Sequence, residues 1–194
     1  LFETHLETWL MKEYENRGIY DVEDLSISRL SEAFGIMVDS TDCKTKAVFD
    51  SEFAVIFINE NETHVKQRQL FFHEFGHVLR HYGDQRYMND SFINLQERQV
   101  YHFSLYAAMP ENLFIRCATV DEAAKVFELP KGMVADRFDQ IQRKQLRGAQ
   151  YNTLQIAESK SSYDPDSWSN ETHRVLQQLK RQTGREVIDE SLIR

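Results

Sequence analysis

Cysteine is nearly absent: the 194 residues hold two, Cys43 and Cys117. That is too few for a disulfide scaffold, so free thiols in a reducing cytoplasm are expected. Long apolar runs are missing as well. The longest, Phe53 to Ile58, falls far short of the roughly 20 residues that cross a bilayer as a helix, and no membrane partner is expected. Positive charge is in deficit, with 23 Lys and Arg against 31 Asp and Glu. A formal charge of -8 argues against general attraction to phosphate backbones or anionic lipid, so nucleic acid is not a favoured partner. The opening stretch, LFETHLETWL, has neither the basic start nor the apolar core of a secretory signal, and it begins without Met, as a trimmed chain would.

What is present is the balance of a globular protein, 41% hydrophobic and 28% charged, enough for one sizeable core with an appendage. Leu6, Leu10 and Met11 recur at helical spacing in a helix expected from His5 to about Arg17. A second is expected from about Leu25 to Phe34, ahead of Gly35. Short β-type runs at Ile36 to Asp39, Ala47 to Asp50 and Phe53 to Asn59 predict a small sheet. A long helical pattern follows, with Asn61 or Thr63 as N-cap, running to Tyr82 and stopped by Gly83. Another begins after Asp90 or Ser91 and ends at Pro110, with Val100, Phe103 and Ala107 on one face. Thr119 to Glu122, TVDE, is a capping box. It opens a helix Val120 to Glu128, followed across LPKG by another to about Arg147, a helix-turn-helix-like pair. Beyond Tyr151, SKSSYDPDSWSN reads as linker and ETHRVLQQLKRQ as one more helix.

The chemistry is concentrated in LFFHEFGHVLRH, Leu70 to His81. Residues four apart on a helix differ by about 40° and about 6 Å, so His73 and His77 project from one face and can share one ion. Glu74 lies beside that face, where a carboxylate can act as general base toward water activated by zinc. Phe71, Phe75, Val78 and Tyr82 form an apolar stripe, widened by Phe72 and Leu79, that holds the histidines at its edge. Gly76 costs about 1 kcal/mol against Ala inside a helix, which signals a close approach by another element.

A catalytic zinc takes three protein ligands and leaves a position for water. His81 lies about 12 Å along the axis from His73, too far to join an ion about 2 Å from each ligand, and reads as a charge partner of the helix C-terminus. The metzincin pattern needs a histidine where Gly83 stands. Glu97, on the next helix, can be carried to the open side of the ion, or can be a solvated residue of the charged run QERQ. Tyr101, one turn on, is placed to touch a ligand. Tyr101, His102 and His64 are the possible donors to an oxyanion.

RQLFFHEFGHVLRH and ERQVYHFSLYAAMP together resemble the signatures of the ImmA/IrrE metallopeptidases of prophages, integrative elements and stress-response systems. Aligning Met109 and Pro110 with the end of the second signature puts Glu97 on that family's third metal ligand. Tyr101 stands where members commonly have Asn or Asp, and Val100 replaces a usual Ala. The resemblance covers about Ile36 to Arg147. It implies an α+β, zincin-like fold with a small mixed sheet and an active-site helix, and a cytoplasmic zinc endopeptidase whose substrate is a helix-turn-helix repressor. On that basis residues 1–112 are the peptidase domain, 113–150 a helix-turn-helix-like segment and 151–194 a linker with a helical tail. Zinc is the expected ion, though a His-His-Glu set also suits manganese or iron. The substrate main chain is expected along a sheet edge, with Phe53 to Asn59 either that edge or an internal strand. The competing reading is a non-proteolytic regulator that binds a repressor or DNA and carries a structural or vestigial metal site.

Overall fold

The computed structural model describes residues 5–81, 89–160 and 169–183. The chain divides into two compact units, Leu1–Leu146 and Arg147–Arg194.

In the first unit, helix α1 (His5–Asn16) buries Leu10 and Tyr14. The Tyr14 hydroxyl donates to the Ala107 carbonyl at 2.9 Å, which satisfies a buried phenol and pins α1 to the core. A single 3-10 turn leads into α2 (Ile27–Phe34), which ends where Gly35 adopts φ 66 and Ile36 N–H reaches back to the Ser31 carbonyl. A left-handed residue at that position is cheapest as glycine.

Strands β1 (Met37–Thr41), β2 (Lys46–Phe49) and β3 (Ala54–Asn59) form one mixed sheet in the order β1-β3-β2. β3 pairs parallel with β1 and antiparallel with β2. This corrects the edge reading of Phe53 to Asn59: β3 is central, and β1 and β2 are the edges. Ile56 and Ile58 of β3 are buried in the core.

Helix α3 (His64–Arg80) starts at Thr63, whose Oγ1 accepts from Lys66 N–H at 3.3 Å. Phe71, Phe72 and Phe75 are fully buried, with Phe71 and Phe75 stacked at 5.6 Å and Phe34 edge-on to Phe75 at 5.0 Å. The helix ends at Arg80 with His81 as its cap; the expected stop at Gly83 lies outside the described residues.

Helix α4 (Asp90–Ala108) is capped by the Asn89 side chain and crosses α3 at Gly76. Then come a short α5 (Glu111–Phe114), which the sequence pattern did not announce, α6 (Val120–Val126) and α7 (Lys131–Lys160). The Thr119 hydroxyl caps α6 as the TVDE motif requires. Arg137 of α7 is 0% exposed: it donates to Glu7 at 2.7 Å and to the Met109 carbonyl at 3.0 Å, and stacks over Tyr106. Lys144 joins the same network through Glu7 and Glu111. The fold is α+β.

The second unit contains the end of α7, which continues past Tyr151 to Lys160, and α8 (Asn170–Thr183). This corrects the expected end near Arg147; no proline stands before Pro165 to forbid the continuation. Residues 161–168, most of the expected linker, lie outside the described residues. Among the described residues no helix is long and apolar enough to cross a membrane.

Candidate metal centre

Close packing at Gly76 builds the site. A Cβ there would meet Phe103 Cδ1 and Val100 Cγ1, each at 3.1 Å, so only a glycine lets α4 lie this near α3 without displacement. One turn before Val100, Glu97 then reaches the histidine face. Its Oε2 lies 3.2 Å from His73 Nε2 and its Oε1 3.3 Å from His77 Nε2. The two Nε2 atoms are 3.2 Å apart. Bonds of 2.0–2.1 Å in a tetrahedral zinc site separate neighbouring donors by about 3.3 Å, so this donor set fits the ion. Among the described residues His73, His77 and Glu97 are the group of three whose ligand atoms converge in this way.

Electrostatics favour neutral imidazoles. Burial lowers the His73 pKa, with Glu97 opposing, and lowers that of His77 to about 4, aided by the proximity of His73. Neutral rings keep a lone pair to give a cation. His77 is the more enclosed of the two, and Glu97 is 40% exposed, so the cluster opens to solvent on the α4 side.

Glu74 is half-buried, and burial pushes its carboxyl up to about 7. The Ala47 N–H donates to Glu74 Oε2 at 2.8 Å, which partly offsets that rise, while the charge of Glu97 adds to it. A carboxyl balanced near neutrality is suited to proton transfer. Spacing alone does not reveal Ala47, because β2 meets α3 only through the tertiary fold.

The three possible oxyanion donors each have partners of their own. Tyr101 donates its hydroxyl to Asp136 of α7. His102 is exposed, with its ring centroid 6.1 Å from that of Tyr101. His64, at the start of α3, faces Glu128 at 3.7 Å and lines a cleft with Arg68 and Ser28. His81, by contrast, comes into the neighbourhood of the cluster: its Nδ1 lies 3.3 Å from His77 Nδ1. The signal for that contact was its spacing of four from His77.

Residues 31–139 match the peptidase M78 family, described as the IrrE N-terminal-like domain. The chain is similar to two proteins of Bacillus subtilis (strain 168). One is the uncharacterized protein YqaB, 25% identical over 148 residues, covering 73% of this chain and 86% of that protein. Phage-like element PBSX protein XkdA is 26% identical over 149 residues, covering 73% and 75%. The matched segment contains α3, α4 and every residue of the cluster, and with that match the chain belongs to the M78 peptidase family of IrrE N-terminal-like domains.

Proposed function

We propose that the chain is a zinc-dependent endopeptidase in which His73, His77 and Glu97 hold the ion and Glu74 is the general base. Its substrate is a helix-turn-helix transcriptional repressor of a mobile element. The observation that carries this reading is the convergence of three neutral or anionic donors within 4.8 Å of one another, beside a half-buried carboxylate. Bound there, zinc supplies Lewis acidity toward water and toward a peptide carbonyl. Glu74 does the proton work. With Oε2 held by Ala47 N–H, Oε1 takes a proton from the attacking water and delivers it to the departing amide nitrogen.

β2 is the edge strand nearest this chemistry. Ala47 spends its N–H on Glu74 and not on β3, so its main chain faces outward from the sheet. An extended peptide adding to that edge is brought alongside Glu74. The repressor assignment is supported by the likeness to a protein of a phage-like element.

A non-proteolytic regulator with a structural or vestigial metal site is the second reading. Two observations weigh against it. Structural zinc closes all four positions, whereas three donors converge among the described residues. DNA contact through α7 loses Arg137 to the core and Lys144 to Glu7 and Glu111. Incubation with a co-encoded repressor, with and without chelator, separates the readings. Cleavage that chelator and Glu74→Gln both stop is expected; a repressor left intact in every tube contradicts it.

A further inference from the structure

We infer that His81 is a positioning residue for His77, fixing through a relay to Gln99 the tautomer that turns the His77 Nε2 lone pair toward Glu97 and His73. The inference rests on the metal-centre reading above. His77 Nδ1 and His81 Nδ1 face each other at 3.3 Å, and His81 Nε2 faces Gln99 Oε1 at 3.3 Å. Two ring nitrogens at that distance form a hydrogen bond only when one carries the proton and the other offers a lone pair.

The direction of the relay follows from its outer end. The Gln99 amide oxygen only accepts, so a His81 ring carrying one proton has it on Nε2. Its Nδ1 is then an acceptor, which places the His77 proton on Nδ1. His77 Nε2 is left as a bare lone pair, 3.2 Å from His73 Nε2 and 3.3 Å from Glu97 Oε1. A metal-ligating histidine ordinarily donates its other N–H to an outer partner that fixes ring orientation. Here the partner is an imidazole, itself held at the end of α3: the His81 main-chain N–H donates to the His77 carbonyl at 3.0 Å, and the backbone turns extended at φ -120, ψ 135. Gln99 stands two positions past Glu97 on α4, so the relay joins the same two helices as the donor cluster, on the opposite side of the His77 ring.

The test compares zinc binding by the full chain with His81 intact, as His81→Asn and as His81→Leu, read by competition with a chromophoric chelator. Asn puts an acceptor oxygen near the place of Nδ1; Leu fills the space without one. The expected result is a loss of about 10- to 100-fold for His81→Leu and recovery to within about threefold of wild type for His81→Asn. Equal affinity in all three forms overturns the inference, and so does an equal loss in both variants. A wild-type chain that takes up no zinc overturns the metal-centre reading itself, and the inference with it. A second readout does not depend on the variants folding. In zinc-loaded wild type, 15N spectra should show a coupling across the hydrogen bond between the two Nδ1 atoms; a His77 Nδ1 proton that couples to nothing and exchanges freely with water overturns the inference.

Discussion

Gly76 and Val100 face each other so closely that a Cβ on the glycine would stand 3.1 Å from Val100 Cγ1. That contact sets the separation of α3 and α4, and the separation sets where Glu97 lies. Gly76→Ala asks its neighbours to yield by a few tenths of an ångström while gaining about 1 kcal/mol of helix propensity, so stability should change by less than about 1 kcal/mol. Gly76→Val has no such accommodation. It should push α4 away and weaken zinc binding at least about tenfold, measured by chelator competition alongside thermal unfolding. Unchanged affinity in the valine variant would detach Glu97 from the site.

Glu74 and the acid limb of activity form the next prediction. Burial raises this carboxyl to about 7, the Ala47 N–H partly offsets that, and the charge of Glu97 adds to it. A cation held nearby favours the carboxylate, so the loaded enzyme should lose kcat/KM as pH falls through a value between about 5 and about 7. Glu74→Gln should bind zinc like wild type and cleave at least about 100-fold more slowly. A pH profile flat down to about 5 would place the proton transfer on another group.

The buried pair Glu7 and Arg137 predicts acid lability. Burial pushes the Glu7 carboxyl up, but hydrogen bonds and charge from Arg137 and Lys144 outweigh it and hold it below the ordinary glutamate value. A depressed folded pKa means stabilisation that is complete above the unfolded value and disappears as pH falls through the folded one. Urea titrations should show that loss in wild type and a smaller one in Glu7→Gln. At neutral pH Arg137→Leu, which leaves the buried Glu7 carboxylate with Lys144 in place of two cations, should cost up to about 3–5 kcal/mol.

Tyr101 now has a defined partner in Asp136, and its hydroxyl is pushed up to about 12 by burial together with that carboxylate. Tyr101→Phe should lower stability by about 1 kcal/mol and leave kcat within about threefold. A loss of hundredfold or more would instead make the hydroxyl a donor to the reacting carbonyl.

Helices α3 and α4 were legible because their apolar periodicity is long and the Thr63 cap is a strong local signal; the cap of α4 is Asn89, ahead of the expected start after Asp90 or Ser91. Gly76 was the one local trace of a tertiary contact. Strand order was not legible from the β-type runs alone, although the unbroken apolar run of β3 is what a strand covered on both faces looks like. Arg137 read as one charge in a mixed helix, because its partner Glu7 is 130 positions away and nothing nearby in sequence announces the burial. Glu97 could be placed only by resemblance: spacing names a candidate, and only the helix crossing decides whether its carboxylate reaches the imidazoles.

Zinc affinity of Glu97→Ala, measured beside wild type and Glu74→Gln, tests the central claim most directly. One ion per chain is predicted for wild type and for Glu74→Gln, with a loss of at least about 100-fold when the Glu97 carboxylate is removed. Zinc held as tightly by Glu97→Ala as by wild type would contradict the account.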